Sequence, residues 1–246
     1  MKASYHRYDL QFKQPSGTSR GVLTQKESWF IVLEHEGRKG VGECGILRGL
    51  SHDDRPDYET QLQWVCGNIN QGETALWEAL REFPSIQFGV EMAFRSLAAA
   101  DPFVWFPSDF TTGTVAIPIN GLVWMGSHDF MKQQIEEKLE TGFSCIKLKI
   151  GAIDFEKELD LLRLIRREFP ASQIEIRVDA NGAFAPAEAL AKLHQLAAFD
   201  LHSIEQPIAK NQREQMADLC HKTPFPIALD EELIGVTTLP GKEKLL

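Results

Sequence analysis

The pattern of hydrophobic and polar positions changes character near residue 112. Before it, three stretches rich in β-formers, at 8–12, 22–33 and 40–44, are separated by turn formers. These are Pro15, Ser16, Gly17 and Thr18 in the first gap and Glu36, Gly37 and Arg38 in the second. They predict a three-strand antiparallel meander. Helical patterns follow at 58–69, 74–83 and 85–100. In the last, Phe88, Met92 and Leu97 share one stripe, with Val90, Phe94 and Ala98 beside it. Asp101 and Pro102 end it, because proline cannot continue the hydrogen-bond ladder. Residues 1–112 are therefore expected to form an α+β domain.

After residue 112 the pattern alternates. Strands are expected at 115–120, 144–150, 173–180, 203–206 and 226–229, with helices at 127–139, 155–169, 186–199 and 212–221 between them. Ser127 is a candidate N-cap, Met131, Ile135 and Leu139 form an inward stripe, and Gly142 stands just past that helix. Leu159, Leu162 and Ile165 face inward on the next helix, and Pro186 sits in the first turn of the third. Strands alternating with helices predict an α/β fold with a parallel sheet.

Strand parity sorts the side chains. Lys147 and Lys149 share one face, with Ile146, Leu148 and Ile150 on the other; Arg177 and Asp179 share a face opposite Ile176 and Val178. Polar residues end successive strands: Lys149, then Asp179 after 30 residues, Glu205 after 26 and Asp230 after 25. Tips at this cadence converge on one mouth of a β/α barrel. A lysine pair facing three carboxylates predicts a divalent-metal site with a base beside it. Five strands are expected where a barrel has eight, and 16 residues follow Asp230. Residues 113–246 are thus expected to be an incomplete, truncated barrel, with a small open sheet as the alternative. Its unpaired edges favour self-association into a homo-oligomer.

Composition narrows the function classes. The 246 residues are 43% hydrophobic and carry a formal net charge of −9, which argues against nonspecific nucleic-acid binding. Cys44, Cys66, Cys145 and Cys220 show no CxxC spacing, and read as reduced thiols of a cytoplasmic protein. The first seven residues lack an apolar signal core, and no apolar run approaches bilayer length. The seven histidines make no ligand set; His194 and His221 fall on outer helices.

Taken together, Lys147 and Lys149, Val178-Asp179-Ala180-Asn181, Glu205-Gln206-Pro207 and Asp230-Glu231 resemble the enolase superfamily, and within it the muconate-lactonizing-enzyme branch. Gly89-Val90-Glu91-Met92-Ala93 resembles the last helix of that family's N-terminal capping domain. The loops Ser16-Gly17-Thr18-Ser19-Arg20 and Gly42-Glu43-Cys44-Gly45 are similar to those of the o-succinylbenzoate synthase group, though they are less specific.

The resemblance implies a capping domain on a (β/α)7β barrel. It implies Mg²⁺, or Mn²⁺ in its place, on Asp179, Glu205 and Asp230, with Lys149 as acid/base and Lys147 beside it. Ser19, Arg20, Arg177 and Asn181 are the candidate contacts to a small carboxylate substrate. Arg177 could instead pair with a ligand carboxylate, and Asn181 could serve only the Asn–Gly turn. The implied reaction is dehydration of 2-succinyl-6-hydroxy-2,4-cyclohexadiene-1-carboxylate to o-succinylbenzoate. It proceeds by α-proton abstraction through a metal-stabilised enediolate. Racemization of N-acylamino acids, dipeptide epimerization and muconate cycloisomerization share the same motifs. An inert barrel fragment that only binds metal or partners is the reading from another class. A second lysine on a sixth strand has no counterpart, since Lys242 and Lys244 lie too close to Asp230.

Overall fold

The computed structural model describes the backbone of residues 1–18 and 21–245. They form two compact units, one reaching to Ile117 and the other running on from Pro118. In the first, β1 (Lys2–Thr18), β2 (Gly21–His35) and β3 (Arg38–Gly45) form a sheet in that order. The β2–β3 pair is antiparallel and closes with His35 opposite Arg38. Glu36 and Gly37 both take positive φ (50° and 78°), the backbone of a two-residue hairpin turn. The other expected turn is displaced, because β1 runs through Pro15 to Thr18. Proline is tolerated there because β1 is an edge strand, where a missing N–H need not break a ladder.

Three helices follow: α1 (Tyr58–Asn68), α2 (Glu73–Ala79) and α3 (Pro84–Ala98). The second stops short of the expected residue 83. Pro84 disfavours helical backbone at Phe83, which sits at φ −129° and ψ 67°. On α3 the buried face is rotated from the expected stripe, though Phe94 and Leu97 still pack against the core. Ile86, Gly89, Val90, Ala93 and Ser96 are buried, whereas Phe88 is 57% exposed. Close approach of backbones selects that face. A Cβ on Gly42 would stand 1.8 Å from the Gly89 carbonyl oxygen, and one on Gly40 would stand 2.3 Å from that of Ala93. The Ser96 hydroxyl completes the contact, accepting from the Val41 N–H at 2.9 Å and donating to the Pro102 carbonyl at 2.8 Å.

The second unit alternates. Its elements are β4 (Gly121–Val123), α4 (His128–Glu140), β5 (Cys145–Lys149), α5 (Phe155–Glu168) and β6 (Glu175–Asp179). Then come α6 (Pro186–Leu196), β7 (Ser203–Glu205), α7 (Arg213–Lys222), β8 (Ile227–Ala228) and α8 (Leu239–Glu243). The strands form one parallel sheet in sequence order, with β4 and β8 at its edges, so the barrel is incomplete. The strand expected at 115–120 is absent, and pairing begins only at Gly121. Ile117 and Ile119 are 57% and 72% exposed, and Pro118 between them has no N–H to give a ladder.

The expected parity holds. Ile146, Leu148, Ile176, Val178 and Ile204 are buried against a core that includes Leu159, Leu162, Ile165 and Leu193. Local chemistry starts the helices. The Ser127 hydroxyl accepts from the Phe130 N–H at 3.3 Å, and the Asp154 carboxylate caps α5. Buried Glu158 ties down the loop after β5: its Oε1 accepts from the N–H groups of Gly151, Ala152 and Ile153 at 2.7, 3.2 and 3.3 Å. Its Oε2 has no partner. Burial pushes this carboxyl above the usual range, against the lowering effect of the three N–H groups and of Lys192.

Two outcomes follow from this packing. Gly42→Ala drives a methyl into backbone and should destabilise the first unit by about 3 kcal/mol or more, read as a lower urea midpoint. A midpoint within error of the parent would refute the close contact. For Glu158, the folded state holds the proton more tightly than the unfolded chain, whose value is about 4.3. Its contribution is greatest below that pH and declines as pH rises through the raised folded value. The urea midpoint of Glu158→Gln should therefore gain on the parent between pH 4 and 8. A variant that loses ground over that range would show that the fold favours the carboxylate.

Candidate functional site

Parallel pairing sets the polar tips in layers. Lys147 pairs with Arg177, which pairs with Ser203; one layer on, Lys149 pairs with Asp179, which pairs with Glu205. Because side chains alternate along each strand, Lys147, Lys149, Asp179 and Glu205 share the face away from the apolar core. Asp179 has no exposed surface. Lys149 Nζ donates to Asp179 Oδ2 at 2.5 Å and to Asn181 Oδ1 at 3.0 Å. Lys147 Nζ bridges, bonding Glu205 Oε2 and standing 3.5 Å from Asp179 Oδ2. A buried carboxylate needs such partners, since an unpaired charge away from water is strongly disfavoured.

The next loops extend this network. Asn181 and Gly182 take positive φ (46° and 76°), and the Asn181 N–H donates to Asp179 Oδ1 at 2.9 Å. The Asn–Gly turn and a role for the side chain are therefore both present: Asn181 Nδ2 donates to Glu231 Oε1 at 3.1 Å. Asp230 lies past the end of β8, followed by a short 3₁₀ turn, Glu231–Leu233.

The electrostatics reflect crowding of like charge. Burial raises the Glu205 carboxyl, the bond from Lys147 opposes this, and Asp179 raises it further. Burial also raises Asp230, reinforced by Glu231 and Asp179 and countered by the two lysines. Burial works against a charged amine at Lys147, but its bond to Glu205 and the charge of Asp179 prevail and raise it.

The structure thus brings Lys147, Lys149, Asp179, Asn181 and Glu205 into one network, with Asp230 within its electrostatic reach. It does not bring Arg177 to the carboxylates: that guanidinium donates to Glu175 Oε1 at 2.6 Å, one layer below. Ser19 and Arg20 lie outside the described residues. Gln206 and Glu231 enter the sequence analysis only as neighbours of Glu205 and Asp230 in their motifs, with no role of their own, and Glu232 does not enter it. Their signal was the adjacency to Glu205 and Asp230.

The expected ligand cluster is not preformed. Among the described residues no three His, Cys, Asp or Glu side chains gather closely enough to hold an ion. Lysine nitrogens lie among the carboxylates and supply the neutralising charge instead. The donor set still fits a hard divalent cation, since Asp179, Glu205 and Asp230 offer only oxygen. Beside Asn181, whose Nδ2 bonds Glu231 Oε1, the buried Glu231 Oε2 has no hydrogen-bond partner and is a further oxygen of the same hard character.

Comparison with known proteins identifies the family of the chain. Residues 130–239 match the enolase C-terminal domain-like family, and residues 1–97 match the MenC N-terminal domain. The o-succinylbenzoate synthase of Desulfotalea psychrophila is 45% identical over 96% of this chain and 73% of its own length. The N-succinylamino acid racemase of Thermus thermophilus is 31% identical over 92% of this chain and 63% of its length. The crystal structure of MenC from Desulfotalea psychrophila superposes with a TM-score of 0.84 at 39% identity, covering 100% of this chain and 75% of that one. The o-succinylbenzoate synthase of Thermosynechococcus elongatus BP-1, complexed with Mg in its active site, has the same fold. Its TM-score is 0.76 at 22% identity, over 94% of this chain and 69% of that one. The paired matches to both halves, with the level of identity to a synthase over most of its length, show that this chain belongs to the enolase superfamily of enzymes, among its o-succinylbenzoate synthase relatives.

Proposed function

We propose that this chain catalyses the dehydration of 2-succinyl-6-hydroxy-2,4-cyclohexadiene-1-carboxylate to o-succinylbenzoate, a step of menaquinone biosynthesis. The observation that carries the reading is the Lys149 amine at the end of β5, 2.5 Å from the buried Asp179 carboxylate and level with Glu205. Asp179, Glu205 and Asp230 would hold Mg²⁺, or Mn²⁺ in its place. When bound, that cation would supply Lewis-acid stabilisation of the negative charge that develops on the substrate carboxylate.

Lys149 acts as base and then as acid. Its neutral amine takes the proton from the carbon α to the carboxylate. The electron pair left behind forms the new ring double bond as the C–O bond to the departing hydroxyl breaks. The Lys149 ammonium returns its proton to that oxygen, so one water leaves and the ring becomes aromatic. Asn181 Oδ1, which accepts from the amine at 3.0 Å, fixes the direction of Nζ. Lys147, hydrogen-bonded to Glu205 and 3.5 Å from Asp179, is the second positive charge beside the acid/base.

A second reading rests on the similarity to a racemase. The same amine could take and return a proton at one α-carbon of an N-acylated amino acid. One measurement tests the base that both readings share, and a second decides between them. Lys149→Ala should lower turnover of the cyclohexadiene substrate by about 100- to 10,000-fold, while Mg²⁺ binding by calorimetry is no weaker than that of the parent, because the variant frees an Asp179 oxygen. A full rate in that variant would remove the base assignment. In D₂O, incubation with N-succinylamino acids should leave the α-hydrogen signal intact by proton NMR under the dehydration reading. Rapid loss of that signal, with no dehydration detected, would favour the racemase instead.

A further inference from the structure

We propose that Gln206 is a positioning residue that locks the ends of β6 and β7, which carry Asp179 and Glu205, and the loop of Asp230 into one register, and so sets the affinity of the divalent-cation site; this rests on the reading that those carboxylates hold the cation. Gln206 has no exposed surface. Its side-chain Oε1 accepts from the N–H groups of Asp230 and Glu232 at 3.1 and 3.2 Å, and its Nε2 donates to the Ile208 carbonyl at 3.0 Å. Its backbone joins the neighbouring segments. The carbonyl accepts from the Gly182 N–H at 2.6 Å, and the N–H donates to the Ala228 carbonyl at 2.9 Å. One residue thus touches the turn after Asp179, the segment after Glu205 and the loop of Asp230.

The need for such a residue is greatest at Asp230. The β7–β8 ladder ends with Glu205 opposite Ala228, so Asp230 stands beyond the reach of strand pairing. Its N–H is held by an amide side chain instead of a neighbouring strand. Gln206 performs this while in the left-handed region at φ 42°, a conformation that a long L side chain disfavours. Glycine would relieve that strain, but it would leave the N–H groups of Asp230 and Glu232, the second of them buried, without the side-chain acceptor they now have. Strain retained for a set of hydrogen bonds is the mark of a position where geometry matters.

The test uses the full chain and Mn²⁺ alone, with free ion counted by electron paramagnetic resonance. Gln206→Met keeps the volume and removes all three side-chain bonds. It should weaken Mn²⁺ binding by about 10- to 100-fold, the usual effect of losing a group that orients a ligand. The metal concentration for half-maximal turnover should rise in step, with kcat at saturating metal within a few-fold of the parent. Gln206→Glu, which keeps both accepted bonds, should bind within a few-fold of the parent. A role confined to stability would lower the folded fraction by circular dichroism and leave the affinity of the folded protein unchanged, which would overturn the proposal. Should Gln206→Met fail to fold, Gln206→Gly decides, since it removes side chain and strain together. Affinity equal to the parent overturns the positioning role, and a 10- to 100-fold loss sustains it. No Mn²⁺ binding by the parent would overturn the cation-site reading itself, whereas equal binding by parent and variants overturns only the role of Gln206.

Discussion

The Asp179 carboxylate is removed from water, and the rest of the site is arranged around that fact. A charge so placed must be matched by opposite charge and hydrogen bonds, or the strand end that carries it would not stay buried. Lys149, Lys147 and the Asn181 N–H supply that match from β5 and from the turn after β6. The same contacts that permit burial therefore position the amine assigned to proton transfer. Structural need and chemical function fall on the same atoms, and a substitution at Asp179 would disturb both.

What allows this is the combination of parity and register in a parallel sheet. Ile146, Leu148, Ile176 and Val178 face the helices, which leaves the alternate positions for polar residues. Pairing of Lys149 with Asp179 and of Asp179 with Glu205 then puts three polar groups at one level. A slip of one residue in any pair would turn its polar tip into the apolar core, so burial of the outer face enforces alignment at the mouth. Loop anchors refine the result. Glu158 holds the segment leaving β5 through three N–H groups, and Gly151 in that segment approaches Ala183 so closely that a Cβ would stand 2.4 Å from the alanine Cβ.

The second unit was legible in the sequence because its signals are periodic. Strand parity placed Lys147, Lys149 and Asp179 on one face, and the cap at Ser127 was visible as a single residue in the right place. Features set by distant partners were not legible. On α3 the large side chains suggested Phe88 as inward, but Gly40 and Gly42 on another element chose the small face of Gly89 and Ala93. The apolar run at 115–120 carries strand composition, yet composition does not supply a partner to pair with. Asp230 was readable as an acidic tip. That lysine nitrogens bond the Asp179 and Glu205 carboxylates, so that no preformed ligand cluster stands among the described residues, depends on side-chain reach across strands, which spacing does not encode.

The lysines and the proposed cation compete for the same oxygens. Three carboxylates and two ammonium groups leave about one negative charge, so the present pairing is already close to neutral. Were a divalent ion held by Asp179, Glu205 and Asp230, the two lysines would share those oxygens with it, and the Lys149 amine would lose part of its hold on Asp179. Coupling between cation and base therefore requires no separate device: it follows from both drawing on Asp179, whose oxygens Lys149 and Lys147 already approach at 2.5 and 3.5 Å. A site with a permanently open ligand cluster would bind the cation without acting on the amine, whereas carboxylates already paired with the proposed acid/base would link the two through the burial of Asp179.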